Sequence, residues 1–250
     1  MIFNISNGPI LKTPVLNASY PQDKSVNVGD SVTLEVKIAE HGKPAEYTYQ
    51  WYNGSAAISG ATKSTYTRTA SKGSHTFYCM VTSKAGSVKS RTATVTADTQ
   101  WLYNKGTFSA AAGDIKQVGV KYGGSAGSCT LKKNSSNITV GTYGNSGALV
   151  HFTNQIDLTN YSTLYFNGSV VDKNPNATDG NFAIGVWKSI PTSNAGTEAA
   201  AKITGLRAQQ TWQINVANCS GKHYVGIACH GFGTADNPYT LATMNQMWLK

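Results

Sequence analysis

Two short segments constrain this chain more than any others: Tyr49-Gln50-Trp51-Tyr52-Asn53-Gly54, and Phe77-Tyr78-Cys79-Met80-Val81 some 25 residues later. A lone Trp on one strand and an aromatic-x-Cys on a later strand suit the middle of a core closed by two sheets. Upstream, Val32, Leu34, Val36 and Ile38 alternate with Thr33, Glu35 and Lys37. That period of two gives a strand one buried face and one wet face, so Trp51 is expected to have apolar partners on both sides. Composition points the same way. Charged residues make up only 13% of the chain, while Gly, Ser, Thr and Asn recur throughout, which disfavours helices and suits short strands joined by turns. Only Thr197 to Ile203, short and Ala-rich, reads as helical.

The segment from about Pro14 to Ala97 resembles bacterial and phage immunoglobulin-like modules. The resemblance is carried by Val28-Gly29-Asp30-Ser31-Val32-Thr33-Leu34, by the Trp51 segment, by Ile58-Ser59-Gly60-Ala61-Thr62 with Ser64-Thr65-Tyr66-Thr67, and by Gly73 through Val81. It departs from antibody-type domains at one point: the strand opposite Cys79 offers Val32, Leu34 and Val36 but no second Cys. Cys79 is therefore read as a small buried hydrophobe, and packing alone holds the module.

A length of 250 residues suits two modules of about 100 to 150 residues each. The strand pattern stops after Thr94-Val95-Thr96-Ala97, and Asp98-Thr99-Gln100 leads into Trp101-Leu102-Tyr103. The expected organisation is an N-terminal segment over 1–13, a first domain over 14–97 and a second over 98–250. In the second, Ala148 to Phe152, Ser162 to Val171, Asn181 to Lys188, Thr211 to Val216, His223 to His230 and Thr240 to Leu249 read as strands, the pattern of a larger β-sandwich. Leu149-Val150-His151-Phe152, followed by Ile156-Asp157-Leu158-Thr159-Asn160-Tyr161-Ser162-Thr163-Leu164-Tyr165-Phe166, resembles the jelly-roll strands of galactose-binding-like and carbohydrate-binding modules. Trp212 to Val216 with Gly221 to Ile227 looks like their closing hairpin. The expected fold class is all-β, an immunoglobulin-like sandwich followed by a jelly-roll sandwich.

A formal charge of +9 raises the question of nucleic acid, so the distribution matters. Residues 1–97 hold ten Lys/Arg against five Asp/Glu, and residues 98–250 eleven against seven, so the excess is shared. No like-charge run exceeds Lys132-Lys133, and Arg, the best fork for phosphates and base edges, occurs only at 68, 91 and 207. The charge supports mild attraction to anionic surfaces and no nucleic-acid recognition. No run of about 18 apolar residues occurs, so no membrane span is expected, and the N-terminus shows no basic region or apolar run of a secretory signal. The four cysteines have no zinc spacing, and no cofactor is expected. Cys219 and Cys229 flank a turn at Ser220-Gly221-Lys222 but would not lie directly opposite one another in a hairpin, so unpaired buried thiols are the reading, with a 219–229 disulfide as the alternative.

Catalysis would need paired carboxylates or a nucleophile with a base. The acidic residues of the second domain stand mostly in turns such as Gly113-Asp114 and Thr178-Asp179-Gly180, where Asp bonds nearby backbone N–H groups. His151, His223 and His230 read as strand or rim residues rather than metal ligands. Asp236 to Tyr239 and Asp172 to Asp179 could each offer oxygens to calcium, but neither has an EF-hand spacing, and no metal is expected. No enzyme is therefore expected. Aromatics are the more telling set. Sugars present C–H faces to flat rings and hydroxyls to amides, so a glycan site wants exposed Trp or Tyr beside Asn, Gln or Asp. Trp187, Tyr122, Tyr143 with Asn145, and Asn237 with Tyr239 meet that description at strand ends or loops, whereas Trp101, Trp212 and Trp248 lie inside strand patterns and read as core.

An immunoglobulin-like module joined to a jelly roll resembles the minor structural proteins of tailed phages and prophages. That resemblance implies a tail or baseplate appendage in the virion, or a protein at an extracellular surface. Its partners would be a host cell-surface glycan and other tail proteins, and a homo-oligomer is allowed. The alternative is an accessory module of a secreted carbohydrate-active enzyme or a surface adhesin.

Overall fold

The computed structural model describes residues 13–39, 47–122, 125–127, 129–142, 146–172, 182–193, 195, 199–204, 208–231 and 240–250. Contacts divide the chain into two compact units, Met1–Thr99 and Gln100–Lys250. The described residues form strands and turns and no helix, so none could cross a membrane as an apolar helix. The all-β, two-sandwich expectation is met.

The first unit contains β1 (Lys24–Val26), β2 (Ser31–Glu35), β3 (Thr48–Asn53), β4 (Ala56–Ala57), β5 (Thr65–Thr69), β6 (Gly73–Ser83), β7 (Gly86–Lys89) and β8 (Ala93–Ala97). One sheet runs β1-β8-β6-β3-β4, with β7 also on β6; β2 and β5 form the other. The alternation at Val32 and Leu34 turns both side chains inward, and with Val36 they share a core with Trp51, Phe77, Cys79 and Val81. Trp51 is fully buried, and its indole N–H donates to the Lys63 carbonyl at 2.9 Å, which satisfies the one polar atom the ring brings inside. Its strand neighbour across β3 and β6 is Cys79, whose thiol burial pushes to about 11. Strand β6 pairs β8 over Gly73 to Phe77 and β7 over Met80 to Ser83. Ser90 covers the gap: its N–H donates to the Cys79 carbonyl, and its hydroxyl accepts from the Cys79 N–H, both at 2.9 Å.

The second unit contains β9 (Gln100–Asn104), β10 (Thr107–Phe108), β11 (Ile115–Tyr122), β12 (Ser125–Ala126), β13 (Cys129–Lys133), β14 (Ile138–Thr142), β15 (Ser146–Phe152), β16 (Ile156–Asp157), β17 (Thr163–Asp172), β18 (Phe182–Trp187), β19 (Ala201–Ile203), β20 (Gln210–Asn215), β21 (Lys222–Gly231) and β22 (Thr240–Leu249). In sheet I, β22 pairs β17 along its whole length on one edge, and β14 and β9 in succession on the other; β20, β13 and β10 lie outside these. Sheet II runs β11-β15-β21-β18-β19, with β12 and β16 as short additions. Between the sheets, Val150, Phe152, Phe166, Ile184, Ile227, Met247 and Leu249 belong to one buried core.

Two expectations are corrected. Strands β20 and β21 are not a hairpin: β20 pairs β17 in sheet I and β21 pairs β15 and β18 in sheet II, so the turn between them carries the chain across the core. Val216 and Cys219 are buried at that crossing. The helical reading of Thr197 to Ile203 also fails where it can be seen, because Ala201–Ile203 pairs with Ile184 to Val186. Ala201 and Ile203 pack on the core while Lys202 points away, and that period-two burial outweighs the weak helix preference of a few alanines.

Replacing Trp51 with Ala removes a fully buried ring and leaves the Lys63 carbonyl without its donor. The first unit should lose about 3–5 kcal/mol in chemical denaturation, and Trp51→Phe less.

Candidate functional site: an aromatic and amide face on sheet I

The outward face of sheet I follows from the phase of β22. Ala242, Met244, Met247 and Leu249 point into the core, which leaves Gln246 and Trp248 outside. The spacing between Met244 and Met247 is three rather than two, so one residue must be looped out. The register against β17 shifts there, with Asn167 opposite Gln246 and Gly168 opposite Met244, and Asn245 is the extra residue. Gly168 is required at this bulge, since a Cβ would collide with the Thr243 carbonyl. On the other edge Trp248 pairs Trp101 and Met247 pairs Tyr103, so Leu102 is accommodated by a second irregularity and Trp101 and Asn104 both face outward.

Two rows result across four strands. Trp101, Trp248, Tyr165 and Gln213 are cross-strand neighbours in one; Asn104, Gln246, Asn167 and Thr211 form the next. Each row spans about 14 Å, three strand spacings. The Tyr165 and Trp248 rings stack with centroids 5.0 Å apart and planes 2° from parallel, and Trp101 leans on Trp248 at 5.1 Å and 47°. The faces that Tyr165 and Trp248 turn to each other are closed to a ligand, so the strip offers ring edges and the outer faces of its end rings. All three rings are half-buried. Behind them Gln246 donates to Asn104 at 2.9 Å, Asn167 donates to Thr211 at 2.9 Å, and Asn245 donates to Gln209 at 3.2 Å. These bonds hold the amides in place, and the Asn167 oxygen also accepts from Gln209 at 3.3 Å and from Asn245 at 3.4 Å, so what Asn167 has to spare is its second N–H donor. Every side chain of the two rows is uncharged. The face is chemically suited to a neutral ligand with both C–H surface and hydroxyl groups.

The outward face of sheet II is built differently. Trp187, expected at an exposed strand end, is fully buried and donates its indole N–H to the Ala195 carbonyl at 2.7 Å. It belongs to a small second core with Val120, Leu149, Ala183, Ala195 and Ala228. The chain leaving β18 turns back over its own sheet: Lys121 N–H donates to the Thr192 carbonyl, Ser193 bridges Lys121, and Ile190 and Ala199 pack on the cluster. Trp187 is therefore structural. At the rim of this face an open groove of about 540 Å³ is lined by Thr153, Asn154, Gln155, Lys222 and Tyr224, with Ala110 and Ala111. His151 sits edge-on to the Tyr224 ring at 4.9 Å and is 1% exposed. Its Nδ1 lies 2.6 Å from the Phe152 carbonyl, and its buried Nε2 has no hydrogen-bond partner among the described residues.

Of the remaining expected site residues, Tyr122 ends β11 with its side chain outside the described residues, and Tyr143, Asn145, Asn237 and Tyr239 lie outside them altogether. Trp212 is core, as read from the sequence, but Trp101 and Trp248 are not. The available signal was phase: Trp248 stands between the inward residues Met247 and Leu249, so it must point outward. The carboxylates that can be seen serve turns and ion pairs. Asp157 accepts from the Thr159 N–H and hydroxyl, and Asp114 pairs with Lys133 at 2.7 Å; these donors hold both carboxyls below the usual range. Among the described residues no group of three His, Cys, Asp or Glu could hold a metal ion.

No protein-family model matches the chain, and no curated protein matches it. Among solved structures it is similar to one described under the promiscuous specificity of carbohydrate-binding modules of the β-sandwich superfamily, at 14% identity and a TM-score of 0.38 over 96% of this chain and 99% of that one. A low-affinity xylan-binding module from Roseburia intestinalis gives 13% and 0.34 over 55% and 96%. The Bacteroides ovatus mixed-linkage glucan locus protein SGBP-B, bound to a heptasaccharide, gives 7% and 0.30 over 96% and 100%. Likeness this distant carries no argument about what the chain binds.

Burial holds the His151 pKa below its ordinary value, and Lys116, its neighbour on β11, acts in the same direction. The unfolded chain then takes up a proton that the fold refuses. The stability of the second unit should be fully present above about pH 6.5 and fall as the pH drops below it. Thermal melts from pH 7.5 to 5 should show this slope, reduced in His151→Phe.

Proposed function

We propose that the protein is a non-catalytic β-sandwich binder whose second unit holds a neutral polysaccharide against Trp101, Trp248 and Tyr165. The observation that carries this reading is the pair of registered rows, rings in one and amides in the next. Ring surfaces take up the C–H faces of a sugar, and a carboxamide can both donate to and accept from neighbouring hydroxyls. An uncharged strip is poorly suited to phosphates, which want Arg forks and a cationic groove. Among the described residues the two rows hold no carboxylate, histidine or cysteine, so binding is the chemistry they support.

For the biological setting we propose a tail or baseplate appendage, in which an immunoglobulin-like first unit is the spacer and the second unit meets a host-surface glycan. An accessory module of a carbohydrate-active enzyme or an adhesin would use the same face. Neighbouring genes separate the two settings: tail and lysis genes favour the first, glycosidase domains or sortase signals the second.

Affinity electrophoresis of the full chain in gels containing mixed-linkage glucan, xylan or bacterial wall polysaccharide tests the binding. Retardation by at least one of them is expected, weakened about tenfold or more, or about 1.4 kcal/mol, by Trp248→Ala and by Tyr165→Ala in proteins whose melts show an intact fold. Trp187→Ala should instead lower the melting temperature. Retention unchanged by both face substitutions, or turnover of the polysaccharide, overturns the reading.

A further inference from the structure

We propose that Cys129 and Cys229 form a latent disulfide site that joins sheet I to sheet II when the protein meets a disulfide oxidant. The backbone brings them together. Ala126 of β12 pairs in parallel with Gly147 of β15, and the Gly127 N–H donates to the Gly147 carbonyl at 3.1 Å. Two residues later Cys129 opens β13, the strand that takes the chain into sheet I, and two residues reach no more than about 7 Å. On the far side of β15, Cys229 lies opposite Ala148, and its thiol donates to the Ala148 carbonyl at 3.5 Å. The two cysteines thus approach from either side of one strand at the corner where the sheets meet.

Both side chains belong to the same buried core, where the neighbouring Cys129 thiol and burial together push the Cys229 pKa up. Gln117 holds Cys129 in this position, its side-chain oxygen accepting from the Cys129 N–H at 3.2 Å and from its thiol at 2.9 Å. All four cysteines are free and buried, as read from the sequence, and the alternative pairing of Cys219 with Cys229 has no such geometry. Cys219 lies before β21, and seven residues of that extended strand separate Lys222 from Cys229, about 23 Å. Cys79 belongs to the other unit.

Closure is a thiol–disulfide exchange. One cysteine, as thiolate, attacks a sulfur of a low-molecular-weight disulfide such as oxidised glutathione, giving a mixed disulfide and releasing one glutathione thiolate. The second cysteine's thiolate then attacks the protein sulfur of that mixed disulfide and displaces the other glutathione thiolate. The two protons lost by the cysteines end on the two glutathione thiols, and the oxidant takes the two electrons. Both thiols are buried and so inaccessible in the closed fold, and exchange should be slow in the native protein and fast while it folds.

Unfolding the full chain reductively, then refolding it in oxidised and reduced glutathione, tests this by peptide mapping with mass spectrometry. The expected product is one linked pair of peptides containing Cys129 and Cys229, with Cys79 and Cys219 still alkylatable. The link closes a long loop, and the melting temperature should rise by about 5–10 °C over the reduced protein. Cys219→Ser should keep both the link and the rise, whereas Cys129→Ser and Cys229→Ser lose them. Should a serine variant fail to fold, the map of the unmutated chain still decides. A link through Cys219 or Cys79, or no link after oxidative refolding, overturns the proposal.

Discussion

The second unit depends on β22 being paired along both edges. Its side with β17 is continuous from Thr240 to Leu249, and the opposite side is shared by β14 and β9. Sheet I therefore has no continuous interior without this strand. The same strand sets both surfaces: Ala242, Met244, Met247 and Leu249 build the core, while Gln246 and Trp248 build the face. Two bulges, at Asn245 and Leu102, keep these roles in phase despite irregular spacing. Without either, one half of the strand would turn its apolar residues to water.

The two sheets treat their outer faces differently. Sheet II is buried on both sides over much of β15 and β18, because the chain after Trp187 packs back against it. Its residues read as continuous apolar runs, and its glycines allow close strand contact. At Gly226 a Cβ would strike the backbone of Val150 and His151. Sheet I keeps alternation, and the rings on its outer side remain half-exposed. A large aromatic patch left partly open on a small sandwich is the kind of surface that marks an interaction site.

The polar groups left in the interior are few. Trp51 and Trp187 each give their indole N–H to a backbone carbonyl, and Ser90 completes the break between β7 and β8. Among the described residues two buried side-chain atoms lack a hydrogen-bond partner, Tyr103 Oη and His151 Nε2, which is costly in a low-dielectric interior and costlier still for a charged imidazolium. That cost makes the neutral imidazole the form compatible with the fold.

The sequence by itself determined the all-β class, the inward phase of Val32, Leu34 and Trp51, and six strands of the second unit, from Ala148 to Phe152 through Thr240 to Leu249. These follow from local period and turn chemistry, which need no partner strand. It did not reveal the strands between Thr107 and Thr142, whose patterns are broken by Gly, Ser and Lys. Only the tertiary structure decided which tryptophans are buried. Period two says which neighbours share a face, but not whether that face is later covered. Trp187 is hidden by chain that follows it, while Trp101 and Trp248 meet across strands almost 150 residues apart in sequence and stay partly open. The approach of Cys229 to Cys129 rather than to Cys219 has the same origin, because strand partnership across the core is a long-range property that no local spacing encodes.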